Sequence, residues 1–365
     1  MLVPALVRLS LGAAVAYNSR MRSVTTFFLI ALSFVASSAV AAANFNMEFR
    51  CDEVAKNIDA VKTWTKSRSA SCQMSEPASK DIGGGLCTAD FTRCLPPEVI
   101  ALDGTSPEIA GPNCWNLAMV MSGVLPSLRH STAEEMAFFM KSPLCRPLGA
   151  GEKPQPGDIG ALRANGKEVH GFMWISDTLV FSKNGDAVDQ KYFLQSKAFM
   201  ADGYQILQNA ECAKTKDPED CNMIVDSLRC QSLKSYVNDP KNATPKQISE
   251  ALDQLEAADA CLTPMQFNPK AFTKTQSKNL IQNIQVLAAM VESPEFKKTL
   301  QAMKNPDRDF ISGSLIVRLN AMYHQVSLNK MHYKTCPTCE AVVEEISRSY
   351  WDLRDTFSAP AKTGK

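Results

Sequence analysis

Two side chains in this sequence stand where they could make and break covalent bonds. Cys114 lies in Gly111-Pro112-Asn113-Cys114-Trp115-Asn116 and opens an apolar run, and His170 follows in an alternating stretch beyond Pro156-Gly157-Asp158-Ile159. A thiol in the first turn of a helix feels the positive end of the helix dipole, and a nearby imidazole can take its proton. Both effects lower the thiol pKa. The pair would supply a nucleophile and a general base for attack on a carbonyl carbon. A third polar residue should orient the imidazole, and Ser182, Lys183 and Asn184 fall in the strand that follows. Asn184 suits the chemistry, because its amide oxygen can accept from a ring N–H, whereas Ser182 has the better strand spacing. An oxyanion hole would use the Cys114 backbone N–H and an upstream polar side chain, with Asn113 a candidate.

Other reactive groups carry less. Cys336-Pro337-Thr338-Cys339 with His332 nearby could exchange disulfides or bind metal. No strand precedes it in a βαβ pattern and no second ligand pair is present, so a structural bridge at the start of the last helix is expected. Neither a metal nor any other cofactor is predicted. His130 is expected at the surface and His324 on a helix face. Asp158 belongs to a turn and is expected to be structural. Gly83-Gly84-Gly85 lacks the Lys-Ser/Thr of a phosphate loop and reads as a flexible connection.

The elements that must position the cysteine and histidine follow from periodicity. A short helix is predicted over 51–66, and Pro96-Pro97 marks a boundary. Cys114 to Gly123 reads as a mostly buried helix. A second helix is predicted from the capping box Ser131-x-x-Glu134. The period then changes to short alternating runs at 158–162, 169–175, 178–182 and 192–194, separated by hairpin signals. Beyond Cys212 the pattern is helical. Ile248, Leu252 and Leu255 recur at helical spacing, as do Leu280, Ile284, Leu287 and Val291, and then Val343, Ile346, Tyr350 and Leu353. These stripes predict core faces of a helical bundle with no catalytic constellation of its own.

Met21-Arg22, the apolar Phe27 to Leu32 and the tract Ser37 to Ala43 have the pattern of a secretory signal peptide starting at Met21. Secretion or a periplasmic location is expected, with no stable membrane insertion once the signal is removed. All 12 cysteines lie beyond this segment, which suits a disulfide framework. Close spacings suggest Cys87–Cys94, Cys336–Cys339, Cys51–Cys72 and two bridges among Cys212, Cys221, Cys230 and Cys261. That leaves Cys114 as nucleophile and Cys145 as an odd thiol. With 39 basic and 38 acidic residues the net charge is +1, and no basic block favours a nucleic-acid partner.

Asn113-Cys114, the Pro-Gly-Asp-Ile strand start and His170 resemble the NlpC-type and CHAP-type Cys/His peptidases and amidases of the papain-like superfamily, over about residues 105–195. Trp115-Asn116 and the Gly-Phe-Met-Trp after His170 depart from the usual NlpC-type pattern, and Cys-Trp is closer to papain itself. The resemblance implies an α+β fold, with a cysteine-bearing helix packed on a small antiparallel sheet. An all-α, disulfide-bonded C-terminal domain would follow. The corresponding divisions are 1–43, an upstream extension and signal; 44–95, a disulfide-containing helix and loops; 96–210, the Cys/His domain; and 211–365, the helices. It implies Cys114 as nucleophile, His170 as base, and hydrolysis of a peptide or amide bond, most plausibly in cell-wall peptide or another protein substrate. A noncatalytic binding protein built on the same module is the alternative.

Overall fold

The computed structural model describes residues 46–67, 80–90, 111–164, 167–183, 185, 192–212 and 223–358. The segment 1–43 expected to be an upstream extension and signal, Asn184, Pro96-Pro97 and the cysteines Cys72, Cys94 and Cys221 lie outside them. Among the described residues no helix is long and apolar enough to cross a membrane.

The fold is α+β. A three-stranded antiparallel sheet is built from β1 (Asn46–Arg50), β2 (Lys80–Gly83) and β3 (Leu86–Asp90), in the order β1-β3-β2. Gly83, Gly84 and Gly85 all have positive φ, which is what turns β2 into β3 as a hairpin. Between β1 and β2 lies α1 (Val54–Ser67), close to the predicted helix.

The larger sheet carries the predicted strands: β5 (Ile159–Ala164), β6 (Lys167–Trp174), β7 (Leu179–Lys183) and β8 (Tyr192–Ser196). Two further strands extend it, β4 (Cys145–Pro147) and β9 (Ile224–Cys230), in the order β4-β9-β5-β6-β7-β8. Strand β9 corrects the expectation that residues 211–365 are all helical. It pairs on one side with β5, Ile159 opposite Leu228, and on the other with β4, Cys145 opposite Cys230.

Two helices precede β5. These are α2 (Cys114–Met121), capped by Asn113, and α3 (Ala133–Lys141). The cap of α3 is Thr132, one residue later than predicted, because the Ser131 hydroxyl is engaged with Asn116 and Arg129 instead. Helix α4 (Lys197–Cys212) leaves β8 directly. After β9 come α5 (Leu233–Asn238), α6 (Lys246–Ala260), α7 (Leu262–Phe267), α8 (Lys274–Glu292), α9 (Pro294–Ala302), α10 (Asn305–Leu328), α11 (Lys330–Tyr333) and α12 (Pro337–Ser358). The predicted apolar stripes are buried, except that Tyr350 is half-buried. Ile248, Leu252, Leu255, Leu280, Ile284 and Leu287 are all closed off from solvent.

The sheet and the bundle share one apolar core, which runs from α2, α3 and β5 into α6, α8, α10 and α12. At their boundary is a buried ionic cluster. Arg129 donates to Glu135 of α3 and to Asp259 of α6, while Arg318 of α10 donates to Asp259 and Glu256. Arg129, Glu135, Asp259 and Arg318 have no exposed side-chain surface. Charges removed from water this completely are tolerated only when each faces an opposite partner with good hydrogen-bond geometry.

Three disulfides join described residues: Cys51–Cys87, Cys145–Cys230 and Cys336–Cys339. The last follows the prediction. The first replaces the expected Cys51–Cys72 and Cys87–Cys94 pairings, because β1 runs into Cys51 beside Cys87 of β3. The second removes the odd thiol at Cys145. Cys230 is thereby used, and Cys261, expected in a bridge, is free along with Cys114.

Candidate functional site

Cys114 begins α2 because Asn113, in an extended conformation, caps the helix by accepting from the Asn116 N–H at 3.0 Å. The Asn113 amide also donates to the Ser131 carbonyl at 2.6 Å. The amide oxygen thus serves the helix start and one of its two N–H groups the Ser131 carbonyl. Asn116, one turn into α2, donates to the Ser127 carbonyl and accepts from the Arg129 N–H at 3.0 Å. Through Arg129 the start of the cysteine helix is riveted to the buried ionic cluster, and so to the bundle.

Helix α2 lies against β6 and β7. The close approach falls at Gly171, where a Cβ would stand 3.0 Å from the Trp115 ring and 3.3 Å from the Cys114 carbonyl oxygen. Strands alternate their side chains. Gly171 and Met173 therefore face α2, and Met173 packs with Leu117 and Met121. His170, Phe172 and Trp174 point to the other face, where Phe172 and Trp174 pack with Met200 of α4. The sequence expectation put His170 on a strand next to the cysteine helix. The structure has that strand, with the imidazole turned toward α4.

There it meets a residue the sequence reading missed. The Tyr204 hydroxyl and His170 Nδ1 share a hydrogen bond of 2.7 Å, and their rings stack with centroids 4.2 Å apart. The other ring nitrogen, Nε2, is buried with no hydrogen-bond partner. No hydrogen bond joins His170 to the Cys114 sulfur. The Gly171 backbone N–H instead favours the thiolate form of Cys114. Strand β7 pairs with β6 only from Phe181 opposite Met173 and Val180 opposite Trp174, which leaves the β6 edge at Gly171 unpaired with β7. Lys183, the last residue of β7, acts on the sulfur from that side through its positive charge.

Of the three candidates for the orienting residue, none is bonded to the imidazole among the described residues. Ser182 is buried and accepts from Gln195 at 2.9 Å. Lys183 is buried and donates to the Gly185 carbonyl at 3.0 Å. Asn184 lies outside the described residues. Asp158 is structural as expected. Arg229 donates to both Asp158 oxygens, at 2.9 and 2.8 Å, and the Asp158 carboxylate also accepts from the Gln155 N–H in the turn before β5. His130 is half-buried rather than at the surface, because its backbone N–H is tied to Gln325 of α10; His324 is exposed. Among the described residues no cluster of side chains is suited to holding a metal ion.

The electrostatics reverse the expected activation. Cys114 is 6% exposed and His170 is fully buried. Burial pushes the thiol up to about 11, outweighing the Gly171 N–H, the helix-start N–H groups and the Lys183 charge that favour the thiolate. Burial takes His170 down to about 3. Tyr204 is also raised, first by burial and then by the charge of an ionised Cys114. The resting site therefore holds a thiol and a neutral imidazole.

His170 titrates at 6.5 in an ordinary setting and at about 3 here, so acid favours the unfolded chain, which binds the proton first. The stability tied to neutral His170 is complete above pH 6.5 and is lost as pH falls from there through 3. His170→Gln is expected to flatten the decline in urea-unfolding free energy over that window. A decline as steep as in the wild type would contradict the burial of a neutral ring. No protein-family model, curated protein or solved structure matches the chain.

Proposed function

We propose that the protein is an exported Cys/His hydrolase of papain-like architecture, cleaving a peptide or amide bond, with cell-wall peptide the leading substrate class. One observation carries this reading. With Cys145 bridged to Cys230, Cys114 remains a free thiol at a helix start in a disulfide-bonded chain, with Gly171 of the histidine strand against its backbone and the Lys183 charge favouring the thiolate.

In the reaction the Cys114 sulfur attacks the substrate carbonyl, and its proton passes to His170 Nε2, the ring nitrogen without a partner. The carbon–sulfur bond forms, the carbon–nitrogen bond breaks, and the amine leaves with that proton. Water, deprotonated by the same nitrogen, then releases the acid and restores the thiol. The Cys114 backbone N–H at the helix start suits the developing oxyanion. Transfer to Nε2 requires the ring to turn toward the sulfur, so the buried arrangement corresponds to a resting state. The burial of thiol and imidazole alike is the observation that favours the second reading, a binding protein on a catalytically silent module.

Nonreducing peptide mapping is expected to find Cys145 joined to Cys230 and Cys114 unpaired. A bridge through Cys114 in the folded protein would end the hydrolase reading and leave the binding module.

A further inference from the structure

We propose that Cys336–Cys339 is a redox-active disulfide, which accepts two electrons from a dithiol and opens without unfolding the chain. The inference is independent of the hydrolase reading.

The surroundings of Cys336 suit a thiol better than a bridge. A disulfide sulfur carries no hydrogen to donate. Cys336 Sγ nonetheless lies 3.1 Å from the Pro269 carbonyl oxygen and 3.2 Å from the Thr338 hydroxyl oxygen. The Thr338 hydrogen is committed to the Phe272 carbonyl at 2.8 Å, so toward the sulfur Thr338 can only accept. One lone pair of the Pro269 oxygen takes the Phe272 N–H at 3.2 Å, which leaves its second for the sulfur. Two acceptors thus converge on a buried atom with nothing to give them. Reduction places a hydrogen there. Polar groups that gain a partner in one state only favour that state. A disulfide whose reduced form is favoured in this way is readily reduced.

The bridge also contributes less to the fold than the other two. Cys51 and Cys87 are 36 residues apart in sequence and Cys145 and Cys230 are 85 apart, against 3 for Cys336 and Cys339. A cross-link restricts the unfolded chain more as the loop it closes lengthens. The two residues are held in place by their backbone. The Cys336 N–H donates to the Tyr333 carbonyl at 3.0 Å and the Cys339 N–H to the Cys336 carbonyl at 2.9 Å. Neither bond needs the bridge, so the thiols stay side by side once it opens.

Exchange enters at Cys336, which keeps 5% of its surface while Cys339 keeps none. Lys334, Thr335 and Pro337 beside it are exposed. One thiolate of the dithiol attacks Cys336 Sγ and forms a mixed disulfide. The Cys336–Cys339 bond breaks, and Cys339 leaves as a thiolate that takes up a proton. The second thiolate of the dithiol then attacks the dithiol's own sulfur in the mixed disulfide and releases Cys336. The departing thiolate meets the Cys339 N–H, 3.2 Å from Cys336 Sγ, and the start of α12 before it is protonated. The dithiol is oxidised and the pair reduced by the same two electrons.

The test equilibrates the full chain in mixtures of reduced and oxidised glutathione, two glutathione molecules standing for the dithiol. Free thiols are trapped in denaturant with N-ethylmaleimide and located by peptide mass spectrometry. Cys336–Cys339 is expected to open in a mixture about a hundredfold less reducing than Cys51–Cys87 or Cys145–Cys230 requires, with the thermal unfolding transition retained. Thr338→Val removes one acceptor and is expected to need a mixture about fivefold more reducing, whereas Thr338→Ser restores the wild-type midpoint. Opening only together with the other two bridges, or only with loss of the folded state, would overturn the proposal. A Thr338→Val midpoint equal to that of the wild type would overturn it too. The wild-type titration decides the matter even where a variant fails to fold, and no arm of it depends on hydrolysis.

Discussion

Replacing Asp259 by asparagine is expected to lower the unfolding free energy by about 3–5 kcal/mol, the usual consequence of removing one partner from a buried ion pair. Asp259 is fully enclosed and faces Arg129 at 2.6 Å and Arg318 at 2.9 Å, with the Ser127 hydroxyl donating to it as well. Asparagine fills the same volume but leaves two guanidinium groups short of a countercharge in a place water does not reach. Burial alone would raise the Asp259 carboxyl. The two arginines instead hold it below its ordinary value of 3.8, at about 2. Its contribution is therefore complete above pH 3.8 and is lost as pH falls through 2. Urea unfolding at pH 7 measures the effect. A loss below about 1 kcal/mol would show that the cluster is not what joins the bundle to the sheet. The coupling can be isolated too: adding Arg318→Met to Asp259→Asn should cost less than the sum of the two single changes, because the second removes a charge the first left with Glu256 alone. The same substitution should loosen the cysteine helix, since Arg129 binds both Asp259 and Asn116.

The second large effect concerns the pH dependence of Cys114 itself. A thiolate–imidazolium pair would react with iodoacetamide at a rate already level at neutral pH. With the thiol at about 11 and the imidazole at about 3, the rate is expected to climb about tenfold per pH unit from neutral toward 11. At pH 7 only on the order of one thiol in ten thousand would be ionised. A plateau reached by pH 7 would mean that the resting site is already an ion pair and that burial does not govern it.

The contrast between the expected and observed thiol shows where sequence reading reaches its limit. A cysteine at a capped helix start, four alternating strands and the bundle stripes are local patterns, and each is present where the periodicity puts it. Strand β9 was not legible because its residues, Ile224 to Cys230, are mostly half-buried and mix charged with apolar types. Its strand character comes from β4 and β5, far away in sequence. The Cys145–Cys230 bridge follows from that same pairing, so spacing alone could not reveal it. Tyr204 carried no signal beyond an aromatic residue in an amphipathic helix. Its importance lies in the face of β6 toward which His170 turns. That face was open to inference, since His170 and Gly171 are adjacent and only a small residue fits against α2. The sign of the pKa shifts was not. It depends on how completely two layers cover the site, which no short motif records.

The most direct test of the account is digestion of purified peptidoglycan fragments by the full chain beside Cys114→Ala and His170→Gln, with products identified by mass spectrometry and folding checked by thermal unfolding. The account predicts cleavage of a peptide or amide bond by the wild type and none by either folded variant. Cleavage that survives in Cys114→Ala would contradict it.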